Sequence, residues 1–145
     1  MTDGASPARS VVKERVLAHA PEKVWRALTQ RHLLEEWLMK SGFEPEVGHR
    51  FEMKAEWGTI ACEVLAVEPH KSLSYTWKAH GLESVVTWTL TGAGTGTHLR
   101  MEQTGFGPDQ ERAYRGAIGG WNAFLDKLED VVASLDDPGA QEGVR

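Results

Sequence analysis

A chain of 145 residues, 41% hydrophobic and 26% charged, carries enough apolar content for one sizeable core and is not disordered in composition. A formal net charge of −5 argues against a nucleic-acid or anionic-membrane partner, and a single cysteine, Cys62, excludes an internal disulfide and fits a reducing cytosol. No apolar run approaches the roughly 18 residues of a membrane span and no basic-then-apolar leader is present, so a cytoplasmic location away from membranes is the expectation.

Residues Met1 to Pro7 are small and polar, and Asp136 to Arg145 are rich in Gly, Asp and Gln. A single domain over residues 10–134, with flexible tails at 1–9 and 135–145, is therefore expected. From Ser10 to Ala18, Val12, Glu14 and Val16 alternate with Val11, Lys13, Arg15 and Leu17, the pattern of an opening strand. Pro21 stands where helices begin, and Val24, Trp25 and Leu28 follow at helical spacing up to Thr29-Gln30. A second short helix over Arg31 to Met39 gathers Leu33, Leu34, Trp37 and Leu38 on one side. Ser41-Gly42 closes it, and Pro45 forbids continuation.

From His49 the period changes to two. Phe51, Met53, Ala55 and Trp57 alternate with Glu52, Lys54 and Glu56. Gly58 turns the chain into a second strand over Thr59 to Val67, and Pro69 to Ser72 form the next turn. Leu73, Tyr75 and Trp77 then alternate with Ser74, Thr76 and Lys78. After His80-Gly81, the run Glu83 to Leu90 faces Val86, Trp88 and Leu90 one way. Thr91 to Thr97, with three glycines, reads as a hairpin loop. The last strand, His98 to Thr104, sets Leu99, Met101 and Gln103 opposite His98, Arg100 and Glu102.

Pro108-Asp109 opens a long helix, with Asp109 a candidate cap and Glu111 in the first turn. Tyr114, Ile118, Trp121, Leu125, Leu128 and Val132 alternate steps of four and three and so form one stripe. Gly119-Gly120 interrupts it, at about 1 kcal/mol per glycine relative to alanine. Either the backbone lies close to another element there, or room is left beside Trp121. The expectation is a close approach to the sheet, with Trp121 turned toward a cavity. Consecutive hairpins and one long helix make a two-layer α+β architecture.

Val24-Trp25-Arg26-Ala27-Leu28-Thr29 followed by Trp37 resembles the N-terminal signature of the SRPBCC superfamily, which has the START-type helix-grip fold. Leu73-Ser74-Tyr75-Thr76-Trp77, Thr87-Trp88-Thr89-Leu90 and Gly96-Thr97-His98-Leu99 resemble its central strands, and Gly120-Trp121 with Leu125 and Leu128 its C-terminal helix. The resemblance spans Val11 to Val132, and the subgroup it is most similar to is the activator of heat-shock protein 90 ATPase. It implies a curved antiparallel sheet of about six strands wrapped around the long helix, with two short helices after the first strand and a mostly apolar cavity between. Superfamily members bind hydrophobic small molecules, act as chaperone-associated modules or, in a minority, cyclise polyketides. The co-chaperone members carry a further N-terminal domain that is not part of these 145 residues, which points away from direct activation of that ATPase.

Other motifs weigh less. Gly92 to Gly96 lacks the lysine and the helix that a phosphate cradle needs. His19, His32, His49, His70, His80 and His98 are scattered without ligand spacing, so no metal or cofactor is expected, and mid-strand Cys62 reads as a core residue. Glu63 shares parity with Ala61, Leu65 and Val67 on a strand apolar on both faces, so an inward carboxylate with a raised pKa is one possibility there. The cavity expected from these patterns is lined by Trp37, Phe43, Phe51, Met53, Trp57, Tyr75, Trp77, Trp88, Met101, Gln103, Tyr114, Ile118 and Trp121. Tyr75, Gln103 or a buried Glu would orient a hydrophobic or aromatic ligand there. The opposite outcome is that the rings fill the space. A chaperone-binding module and a polyketide cyclase-like enzyme are the alternatives. No catalytic residue is assigned, and the expected state is a monomer or homodimer.

Overall fold

The structure, a computed structural model, describes residues 9–56 and 58–135 of the chain. The described residues form seven strands and three helices. Strand β1 (Arg9–Leu17) leads into helices α1 (Pro21–Thr29) and α2 (Arg31–Trp37). Then come β2 (Lys40–Ser41), β3 (Arg50–Ala55), β4 (Gly58–Glu68), β5 (Ser72–Ala79), β6 (Leu82–Ala93) and β7 (Gly96–Phe106). Helix α3 (Glu111–Ser134) closes the order. One antiparallel sheet holds all seven strands in the order β1-β7-β6-β5-β4-β3-β2, so the first strand joins the last and the fold is the helix-grip type. The expected tails fall outside the described residues apart from Arg9, which opens β1, and Leu135.

Strict alternation builds the sheet's inner face. Phe51 and Met53 from β3, Ile60, Cys62 and Val64 from β4, Leu73, Tyr75 and Trp77 from β5, Val86, Trp88 and Leu90 from β6, and Leu99, Met101 and Gln103 from β7 are buried. Pro21 does begin α1, at its first turn. The indole N–H of Trp37 on α2 donates to the Ala27 carbonyl of α1 (2.8 Å), and its ring meets Trp88 edge-on at 5.6 Å. The two short helices are thereby locked to each other and to the sheet. At the other side, Arg15 of β1 reaches across to Asp126 (3.0 Å) and Glu129 of α3.

Several sequence expectations need correction. The second helix ends at Trp37 and not at Met39, and Lys40-Ser41 pairs with Met53 and Lys54 as a two-residue edge strand. The β6–β7 hairpin is tighter than Thr91 to Thr97: pairing continues to Ala93 opposite Gly96, leaving only Gly94-Thr95 in the turn. Asp109 does not cap α3. Gln110 holds the cap position and makes no side-chain cap bond. Its carboxamide instead accepts from the Gly107 N–H (2.7 Å) and donates to the Gly81 carbonyl (3.3 Å), tying the helix start to the β5–β6 turn.

Gly105 is the one extra residue between Thr104, opposite Ser10, and Phe106, opposite Arg9. It bends β7 with φ +116, and a Cβ there would lie 2.5 Å from the Glu83 carbonyl oxygen. Gly105→Ala is expected to destabilise the fold by about 2 kcal/mol or more, from backbone strain plus steric clash. Urea denaturation followed by tryptophan fluorescence checks this, and an unchanged midpoint would show that the bulge is not needed.

Candidate functional site

The two halves of α3 behave differently. From Trp121 on, the helix is pressed into the sheet: Trp121, Leu125, Leu128, Val131 and Val132 are buried. Before Trp121 no α3 side chain is fully buried. Here the helix face consists of Ala113, Gly116, Ala117 and Gly120, spaced by three and four, and it borders a cavity of about 1100 Å³. Gly116, Gly119 and Gly120 all face open space, with nothing within 4 Å of where a Cβ would stand. The glycine pair therefore does not mark a close approach of helix to sheet. It marks the place where the helix stands off.

The cavity floor is aromatic. Trp77 from β5, Trp121 and Phe124 from α3 and Phe106 from the end of β7 line it, with Leu38, Met39 and Leu82. Trp77 and Trp121 lie 5.3 Å apart between ring centroids, and Trp121 meets Phe124 at 5.5 Å. Gln103, only 2% exposed, is the buried polar group in this lining. Its Oε1 accepts from the Trp121 indole N–H (2.7 Å) and its Nε2 donates to Ser84 Oγ (2.9 Å). Ser84 in turn donates to the Trp77 carbonyl (2.8 Å). One polar chain thus fixes both floor tryptophans. The mouth carries Lys54, Arg112 and Lys127 against Glu56 and Asp109, with His80 at the β5–β6 turn. That turn is a two-residue hairpin with positive φ at both His80 (50) and Gly81 (83), the primed geometry that suits twisted strands.

Of the thirteen residues expected around a cavity, Trp77, Gln103 and Trp121 line it. Trp37, Phe43, Phe51, Met53, Tyr75, Trp88 and Met101 are packed into the core behind it. Phe43, Phe51 and Tyr75 form an edge-to-face triangle with centroids 5.2 to 6.1 Å apart, which leaves no opening among them. Ile118 packs on the core margin, and Tyr114 meets Phe106 edge-on (5.6 Å) beneath the Arg9 guanidinium (4.2 Å). Trp57 lies outside the described residues. Rings fill one part of the interior, and another part is open. The residues the sequence reading missed are Leu38, Met39, Leu82, Phe106, Phe124 and the small residues of α3. The repeat Ala113, Gly116, Ala117, Gly120 was the available signal, a second stripe beside the apolar one.

The titratable groups with raised pKa sit away from this lining. Tyr75 is fully buried and pushed well up by desolvation, and its hydroxyl accepts from the Trp88 indole N–H (3.0 Å). It is a core residue rather than a polar group in the cavity. Burial raises the Cys62 thiol to about 12. Glu63 does not turn inward; it lies on the outer face, 3.5 Å from Arg50. Among the described residues no group of three His, Cys, Asp or Glu side chains is placed to hold a metal ion, and no helix is long and apolar enough to cross a membrane. The cavity thus joins an aromatic floor to a charged rim, with Gln103 the buried polar group between them.

The family described as Activator of Hsp90 ATPase homolog 1-like protein matches residues 18–133. The chain is 61% identical to protein MLL2253 of Mesorhizobium loti, with 89% of this chain and 100% of that one covered at a TM-score of 0.85. The solution structure of BH1534 from Bacillus halodurans is similar at 25% identity, 88% and 99% coverage and a TM-score of 0.77. CalU16 from Micromonospora echinospora shares the fold at 23% identity, 88% and 78% coverage and a TM-score of 0.76. A comparison with curated proteins finds no match.

Two outcomes follow from this geometry. Because the space beside Gly119 and Gly120 is open, Gly119→Ala and Gly120→Ala are expected to stabilise the protein by up to about 1 kcal/mol each through helix propensity, read as a rise in thermal midpoint. A fall would restore the close-packing explanation. Because Cys62 is held neutral, it should not react with Ellman's reagent at pH 8 until the protein is unfolded in denaturant; prompt reaction of the native protein would contradict its burial.

Proposed function

The chain belongs to the Activator of Hsp90 ATPase homolog 1-like family, and from that footing we propose that it binds a hydrophobic or aromatic small molecule between its sheet and its C-terminal helix. The observation that carries this reading is the cavity of about 1100 Å³ lined by Trp77, Phe106, Trp121 and Phe124 beside the small residues Ala113, Gly116, Ala117 and Gly120 of α3. Ligand pockets of known proteins run to roughly 300–1,000 Å³, so the space suits an organic molecule of several rings. Apolar burial against the rings supplies the affinity, at about 25 cal/mol for each Å² removed from water, and Gln103 supplies orientation. Lys54, Arg112 and Lys127 at the mouth leave the entrance wet and charged.

The family description makes a chaperone-associated module the second reading. It asks for an apolar docking patch outside the cavity, and Val12 and Val16, 40% and 74% exposed on the outer face of β1, are the pair that would contribute to one. A polyketide cyclase-like enzyme is the third reading, and it asks for an acid or base facing the bound molecule.

Titration of the intrinsic tryptophan fluorescence with quercetin and with palmitate is expected to give saturable quenching by at least one of them. Gly120→Leu, which places a side chain in the open space, is expected to weaken that binding at least about ten-fold while leaving the unfolding midpoint close to wild type. No saturable binding over a broad panel of flavonoid- and lipid-like compounds would overturn the reading.

A further inference from the structure

Strand β1 grips α3 with two arginines, one on each half of the helix, and the two grips are unequal. Arg15 meets both Asp126 (3.0 Å) and Glu129 in the second half. That half also buries Trp121, Leu125, Leu128, Val131 and Val132. Arg9 meets Glu111 (2.5 Å) in the first half and lies over the Tyr114 ring at 4.2 Å. The Glu111 carboxylate is shared, since its other oxygen accepts from Arg115 (2.7 Å). An ion pair this exposed contributes little once water screens it. The remaining ties of the first half are the edge contact of Tyr114 with Phe106, the partial packing of Ala117 and Ile118, and the two hydrogen bonds of Gln110 just before it.

The halves meet at Gly119-Gly120. Together with Gly116 this puts three glycines into five residues of helix, each with open space where a Cβ would stand. Helix propensity is given up at all three, and no close packing offsets the loss. A segment with no fully buried side chain, ended by such a pair, opens at a lower free energy than the core around it. The floor does not share this weakness, because Trp121, directly after the pair, is buried and bonded to Gln103 at 2.7 Å. We propose that Glu111 to Ile118 form a lid that opens as one unit about Gly119-Gly120 while the helix from Trp121 onward stays seated, and that Arg9 is its latch. Arg112, Ala113, Gly116 and Ala117 line the cavity, so this movement uncovers it from the helix side and leaves the Trp121–Gln103 pair in place. The lid is a property of the protein without an occupant, and it stands or falls separately from the small-molecule reading.

Amide hydrogen exchange, followed by NMR on the full ¹⁵N-labelled chain without added ligand, tests this. The amides of Arg115 to Gly120 are expected to share one protection factor, about a hundred-fold or more below those of Leu125 to Val132. Protection that instead rises residue by residue from Arg115 to Gly120 would mean simple fraying, and uniform protection along α3 would mean a rigid helix; either overturns the lid. Gly119→Ala combined with Gly120→Ala is expected to raise protection of the Arg115–Gly120 group about ten-fold, and no rise would overturn the hinge. Arg9→Gln keeps a polar side chain and removes the cation. It is expected to lower protection of that whole group about three-fold while leaving Leu125 to Val132 unchanged. An equal fall along the entire helix, or no fall at all, would overturn the latch. Should a variant fail to fold, the wild-type profile alone decides the lid.

Discussion

A curved sheet of seven strands is wider than any one helix. At about 4.8 Å between strands its concave face spans roughly 29 Å, against a helix diameter of about 10–12 Å with side chains. One long helix therefore leaves apolar surface uncovered, and the rest of the molecule is an answer to that mismatch. Helices α1 and α2 plug one end, with Trp37 joining both to the sheet through the Ala27 carbonyl and the Trp88 ring. The triangle of Phe43, Phe51 and Tyr75 fills the space toward β3 and β4. Beside the Ala113, Gly116, Ala117 and Gly120 face of α3 no large apolar side chain closes the gap, and a cavity remains.

That cavity keeps its shape because its floor is polar as well as aromatic. Trp121 sits at the junction of the two halves of the helix, and its indole N–H needs an acceptor once buried. Gln103 supplies one from β7 and is itself answered by Ser84 on β6. Each member of this chain satisfies the next, so the wide rings stand in fixed positions beside empty space instead of collapsing into it. A leucine at position 103 would leave the Trp121 N–H and the Ser84 hydroxyl without these partners, which is why the network and the opening belong together.

Most of the architecture was legible from period. The alternation of Phe51, Met53 and Ala55, and of Leu73, Tyr75 and Trp77, assigns strands because one face is buried and the other wet. Shorter signals were lost. Two residues, Lys40-Ser41, carry no period, and a strand of that length is defined by its neighbour. Asp109 has the chemistry of a cap, yet Gln110 takes the position because its long amide reaches Gly107 and Gly81. The site was harder to read for a physical reason. Alternation tells which rings point inward, but whether they touch depends on the distance between backbones, and a cavity is a difference between volumes that no single residue encodes. The glycine pair in α3 held the information in ambiguous form, since a missing side chain serves close packing and open space equally well.

The pairing of β1 with β7 has a bearing on how the chain reaches this state. Val11 stands opposite Gln103, and Arg15 opposite Leu99. Joining strands so distant in sequence closes a long loop, and that entropy is spent before the contact gives anything back. The intervening hairpins from β3 to β7 are local and need no such closure. During synthesis the first strand is therefore made early and paired late. Its edge groups and the valines at 11, 12 and 16 stay available to other chains in that interval, which makes the N-terminal strand the segment most exposed to misassociation before the sheet is complete.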